Sequence, residues 1–327
     1  MGSSSFLCAT SVFSVSLWLC CFLDKNNHRG TENTEVAQRR EFSGKAMNEL
    51  KTAENTPLET TNPFELREGL SKNVSESVVK KALETGDLGF LHSFTTGSAV
   101  DGPGVRLVVW TAGCQFRCLY CHNPDTWNMM NGLAIPLERA IAALRKYHHG
   151  LKIMAGGLTV SGGEPLMQDR FVVRLLAAAK ELGVHTALDT NGFLGERLSD
   201  AELNQIDIVL LDIKSWDPAR HQHLTGKDNG PTLDFARRLA QRGKPIWLRY
   251  VLVPGLTDDE NDINQLAAFA AELGNVERVD VLPFHQMGRY KWEKLGMDYT
   301  LNDVRPPAPE VVERVCKQFH ALGLKAY

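Results

Sequence analysis

The stretch GCQFRCLYCHNPDTW, residues 113–127, follows directly on the apolar run RLVVW at 106–110. It carries Cys114, Cys118 and Cys121 in the spacing C-x-x-x-C-x-x-C. Three thiolates this close together can face one small inorganic centre. A structural zinc or an electron-transfer cluster normally takes a fourth protein ligand, whereas three ligands on a four-iron cube leave one iron open to a second molecule. The competing reading is a zinc knuckle with His122 as fourth ligand. Zinc sites often pair two Cys-x-x-Cys hooks, and only one is present here.

Around this stretch, short apolar or β-branched runs alternate with helical patterns. The runs are 105–111, 157–161, 184–189, 208–212, 245–253 and 276–283. The helical segments are 136–148, 168–182, 199–205, 232–242, 258–273 and 309–322. Ile141, Leu144 and Tyr147 recur at spacing three, and Phe171, Leu175, Leu176 and Ala179 at three or four, as amphipathic helices require. Pro136 and Pro309 suit first-turn positions, and Gly183, Gly243 and Gly274 suit helix ends. Six strand-then-helix repeats predict an α/β fold with a parallel sheet and right-handed crossovers, either partly closed as a six-stranded barrel or open and doubly wound. Chemistry in such folds sits at the C-terminal ends of the strands. The polar clusters obey that rule: the cysteine loop, SGGEP (161–165), DTNG (189–192), DIK (212–214), LRYVLVPG (248–255) and PFH (283–285) each lie at a strand exit.

The chain of 327 residues has room for one large α/β domain, expected at 88–327, and an extension over 1–87. A net charge of −3 argues against broad nucleic-acid or anionic-membrane binding. Seven cysteines show no paired framework, which favours a reducing compartment. Residues 6–23 are apolar, but no Lys or Arg precedes them as in a signal peptide. Residues 24–87 are polar and expected to be disordered, with a short helix near 74–83. A cytoplasmic location is the first expectation. An organelle is the alternative if the extension is a targeting segment, and a membrane-anchored scaffold rests on 6–23 alone.

These motifs together resemble the radical S-adenosylmethionine (SAM) superfamily. Within it, HSFTTGSAVDGPGVR (92–106) and WLRYVLVPGLTDDEND (247–262) are similar to the family that activates glycyl-radical enzymes. The resemblance covers about residues 88–327 and implies a partial (β/α)6 barrel. It implies a [4Fe–4S] cluster on Cys114, Cys118 and Cys121. SAM is then held by Tyr120, Cys121, His122, Gly163, Glu164, Asp212, Ile213, Lys214, Arg249 and His285. Asp189, Thr190, Leu210 and Asp212 resemble loops that hold a monovalent cation. Asp101 is implied as a contact for the substrate's glycine loop, and Tyr290, Lys291 and Trp292 resemble a segment near the substrate groove.

The implied reaction cleaves SAM reductively and leaves a glycyl radical on pyruvate formate-lyase, with flavodoxin or ferredoxin as electron donor and a monomeric catalyst. Activases of other lyases are the nearest alternative. Many of those insert a cysteine-rich, ferredoxin-like module, but no cysteine occurs between Cys121 and Cys316. A zinc-binding interaction module is the reading from a different class.

Overall fold

Strand β1 (Leu88–Ser98) opens the sheet and β2 (Arg106–Thr111) leads into the cysteine loop. The computed structural model describes residues 74–327, so what was expected of residues 1–73, the apolar stretch included, lies outside the described residues. Helix α1 (Glu76–Thr85) precedes β1 and the expected boundary at 88. Arg174 ties it to the body, donating to Thr85 O at 2.7 Å and Asp87 at 2.5 Å.

After β3 (Leu133–Pro136), strands and helices alternate: α2 (Leu137–Ile153), β4 (Gly157–Gly162), α3 (Asp169–Glu181), β5 (His185–Thr190), α4 (Asp200–Leu203) and β6 (Ile208–Asp212). Then come α5 (Pro218–Thr225), α6 (Gly230–Gln241), β7 (Ile246–Leu252), α7 (Glu260–Leu273), β8 (Val276–Pro283), α8 (Arg289–Lys294) and α9 (Pro309–His320). The described residues form one eight-stranded sheet in the order β3-β1-β2-β4-β5-β6-β7-β8. Strands β2, β4, β5, β6, β7 and β8 are parallel, and β1 runs antiparallel to β2 and β3.

All six expected runs are strands. The sheet stays open, with β3 and β8 as its edges, in the sense of a partial rather than a closed barrel. Two strands were not anticipated. The outer half of β1 is exposed and mostly polar, and β3 is only the four residues LAIP ending in a proline, too short to stand apart from the helix that follows.

Helix α7 shows how local sequence sets an element. The Asp259 side chain accepts from Asp262 N at the start, and Gly274 adopts a left-handed φ of 71° at the end. The main core lies between the sheet and helices α2, α3, α6, α7 and α9, with Leu158, Leu176, Val209, Leu248 and Phe319 fully buried. Each such side chain contributes about 1.5–3 kcal/mol by leaving water. In β7, burial alternates strictly along Ile246–Leu252. Ile246, Leu248, Tyr250 and Leu252 therefore share the core face, and Arg249 projects from the opposite face with Trp247 and Val251.

Candidate active site

The cysteine loop is closed at its base by the backbone. Gly113 N donates to Thr126 O at 2.7 Å and Cys114 N to Trp127 O at 3.2 Å. Its outer arm rests on the end of α5, where Arg117 N and Leu119 N donate to Thr225 O and Leu224 O. Phe116 anchors it, buried edge-on against Phe193 and His221. Cys114, Cys118 and Cys121 are free thiols held within this one loop. Burial is the largest influence on each and raises all three, Cys118 to about 12. A multiply charged metal centre is what can hold three such neighbours ionised.

The exit of β4 packs directly on this loop. Gly163 N donates to Thr111 O at 2.9 Å and Glu164 N to Gly113 O at 2.8 Å. A Cβ on Gly162 would lie 2.2 Å from Thr111 N, and one on Gly163 would lie 2.5 Å from Gly113 O. Gly162 is thus required by the approach of SGGEP to the end of β2, and Gly163 by its approach to the cysteine loop. Glu164 is fully buried and already engaged. Its Oε1 accepts from Leu166 N and Thr190 Oγ1, and its Oε2 from Asn191 N, so it stitches the β4 exit to the β5 exit. Burial lifts its carboxyl to about 7 against those three donors.

Across the sheet lies a ring of charge. Arg249 Nη1 donates to Asp189 Oδ2 at 2.9 Å, and Nη2 lies 3.6 Å from Asp101 Oδ1. Asp101 enters from the segment leading into β2 and is fixed by Ser98 Oγ at 2.6 Å. Ser161 Oγ donates to Asp189 at 2.7 Å. Burial raises the Asp189 carboxyl above its ordinary value; Arg249 pulls the other way, and Asp212 adds to the rise. Burial alone would lower Arg249, but Asp189, then Asp212 and Asp101, hold it protonated above its ordinary value.

Lys214 Nζ lies 3.1 Å from Asp212 Oδ2 and 5.9 Å from the centre of the Tyr120 ring. Burial disfavours its charge, yet Asp212, Tyr120 and Cys118 together raise it. Ile213 points its side chain into the core, leaving only its backbone toward the site. Leu210 is likewise buried, in a small cluster with Ala187 and Ile208.

His122 and His285 stack with ring centres 4.0 Å apart, and His122 Nε2 donates to His285 O at 3.0 Å. Burial, then His285, lowers the His122 imidazole to about 4. Nδ1 is therefore the unprotonated nitrogen. With Nε2 donating to a carbonyl, Nδ1 is the ring nitrogen that keeps a free lone pair. Among the described residues, no three His, Cys, Asp or Glu side chains are grouped as ligands of one metal ion.

The segment expected near a substrate groove packs largely inward. Lys291 and Trp292 are buried against the cysteine loop, and only Tyr290 is partly exposed. Sequence reasoning passed over Ser98, Ser161 and Asp125, whose side chains fix Asp101, Asp189 and Lys291. The acid inside the quoted PDTW was a signal for the last of these.

A family model described as the radical SAM superfamily matches residues 108–267. The pyruvate formate-lyase 1-activating enzyme of Escherichia coli K12 is 42% identical over 230 residues, covering 70% of this chain and 94% of that protein. The pyruvate formate-lyase-activating enzyme of Staphylococcus aureus USA300 is 43% identical over 242 residues, covering 72% and 96%. The chain belongs to the pyruvate formate-lyase activating enzymes, within the radical SAM superfamily. Among solved structures, Streptococcus suis SuiB bound to S-adenosylmethionine shares the fold, with a TM-score of 0.51 and 18% identity over 90% of this chain and 62% of that one.

An activating enzyme of this superfamily needs a cluster and SAM, and the residues present suit both. Tyr120 OH, Asp189 Oδ1, Arg249 Nε and Gln115 Oε1 are buried without a hydrogen-bond partner. Each such atom costs about 1–3 kcal/mol when left unsatisfied, so four around one site mark a place made for a polar guest.

Proposed function

We propose that this chain activates pyruvate formate-lyase by installing a glycyl radical on it, with Cys114, Cys118 and Cys121 holding a [4Fe–4S] cluster that keeps one iron open. The observation that carries this reading is the three-thiol loop, with buried partnerless polar atoms on its own Gln115 and Tyr120 and on Asp189 and Arg249, in a chain 42–43% identical to named activating enzymes. When bound, a reduced cluster would supply one electron for the cleavage of SAM to methionine, and with it the abstraction of a hydrogen atom from a glycine.

The protein binds, orients and excludes water. Arg249 and Lys214 offer fixed cations to the SAM carboxylate. Asp212 accepts from the ribose hydroxyls. The backbone at Gly163 and Ile213, with Tyr120, Cys121, His122 and His285, frames the methionine and adenosine ends. Glu164 keeps the β4 and β5 exits in register, which positions Gly163 rather than touching the guest. Asp101 meets the substrate's glycine loop and, through Arg249, ties that contact to the SAM side.

Asp101, Asp189 and Asp212 outnumber Arg249 and Lys214 as charges, and Asp189 Oδ1 lacks a partner. A monovalent cation held by Asp189, Thr190, Leu210 and Asp212 balances the ring. The electron donor is flavodoxin or ferredoxin, and the catalyst works as a monomer in the cytoplasm. Among the described residues, no helix is long and apolar enough to cross a membrane.

The test mixes the anaerobically reduced protein with SAM and pyruvate formate-lyase and reads electron paramagnetic resonance. A glycyl radical, with stoichiometric 5′-deoxyadenosine, is expected. SAM cleavage with no radical on pyruvate formate-lyase, but a radical on another glycyl-radical enzyme, would reassign the substrate. A four-iron protein unable to cleave SAM would sink the reading.

A further inference from the structure

We infer that Lys291 is a positioning residue for the third cluster ligand: with Trp292 and Asp125 it forms a buried clasp that sets where Cys121 stands. The Lys291 ammonium lies 2.8 Å from Asn123 Oδ1 and 3.0 and 2.9 Å from the two Asp125 oxygens, so its three protons are all used. Both side chains are removed from water, at 8% and 3% exposure. His92 of β1 reaches the same carboxylate at 2.8 Å, and Asn131 Nδ2 donates to Asp125 O at 2.8 Å. One residue further on, the Trp292 indole donates to the carbonyl of Cys121 itself at 2.9 Å. Its ring meets Trp127 edge-on at 5.1 Å. Gly288, at the start of the same segment, sits so close that a Cβ would lie 2.7 Å from His122 Cα.

A buried ion pair adds little net stability compared with apolar packing of the same volume. What it adds is direction. Two carboxylate oxygens and an amide oxygen fix the ammonium at one point, and that point fixes residues 288–292 against 121–127. Cys118 stands in a tight turn with Cys121, whose N–H donates to Cys118 O at 3.1 Å, and on its far side Cys121 meets this clasp beside the Asn123 N–H and the Trp127 indole, which hydrogen-bond its sulfur. Residues outside a metal's own ligands commonly orient them in this way, and losing such support costs about 10- to 100-fold in metal affinity.

The inference rests on the cluster reading, so wild-type protein is measured first. A wild type that assembles no four-iron centre overturns the functional reading. The single variant Lys291→Met leaves Asp125 charged and buried, so the decisive variant is Asp125→Asn with Lys291→Met, which leaves no unpaired charge. Trp292→Phe removes only the donor to Cys121. After anaerobic reconstitution, iron release to a ferrous chelator is timed, and the resonance spectrum of the reduced cluster is recorded with and without SAM. The double variant is expected to release iron about tenfold faster and to show a changed spectrum with SAM, and Trp292→Phe the same change to a lesser degree. Wild-type release and a wild-type spectrum in a folded double variant overturn the inference. If the double variant does not fold, the same wild-type result in Trp292→Phe overturns it.

Discussion

Arg249 concentrates the chemistry of the site in one side chain. It projects from the face of β7 that is not core, and its two outer nitrogens bind acids arriving from opposite directions. Replacing it with Met strands Asp189 as a buried, unpaired carboxylate, and breaking such a pair costs about 3–5 kcal/mol. Urea unfolding of Arg249→Met is expected to show that loss. Arg249→Lys keeps a charge but not the planar fork. It is expected to restore most of the stability while SAM affinity stays weakened at least tenfold by calorimetry; full recovery of affinity would remove Arg249 from the SAM carboxylate.

His122 gives a pH signature. Its folded value of about 4 lies below the ordinary 6.5, so the unfolded chain takes up the proton first as pH falls. This contribution is whole above pH 6.5 and is lost as pH drops toward 4. Between pH 7 and 5, the iron-free wild type should lose about 2 kcal/mol more than His122→Gln. Equal slopes would mean that His122 is not held neutral by burial.

At the scale of elements, the parallel strands were legible because each is apolar on both faces or alternates cleanly, as in Ile208–Asp212 and Ile246–Leu252. Strand β1 was not legible. Its pairing is long-range, with β2 and β3, and its outer residues Phe94, Thr95 and Thr96 face water. Nor could the sequence tell that the SGGEP glycines meet protein backbone, since that contact is made across the β2–β4 pairing.

The consequence is measurable. Gly162→Ala forces a φ of 138° on a residue with a Cβ, against the backbone of Thr111. It is expected to cost about 2–5 kcal/mol. Gly255→Ala, with φ 76° but open space, should cost about 1–2 kcal/mol. Equal costs would refute the close packing of the β4 exit on the end of β2, from which the cysteine loop departs. The clasp at Lys291 was hidden for a similar reason. Two segments 166 residues apart meet there, and the resemblance that placed residues 290–292 near a groove carried no information on which way they turn.

For the whole molecule, the open sheet sends six parallel strands to one end, and that end gathers the cysteine loop, SGGEP, DTNG, DIK and the two stacked imidazoles. In the proposed reading, the three thiols of this single loop hold the cluster and leave it one protein ligand short. The proposed reaction depends on that shortfall, because SAM would have to reach an iron directly. Mössbauer spectra of protein reconstituted with isotope-enriched iron, taken with and without SAM, address it. Four irons in one cube, of which a single site changes on adding SAM, is the result predicted. Four sites indifferent to SAM, or a protein that holds one zinc and no cube, would contradict it.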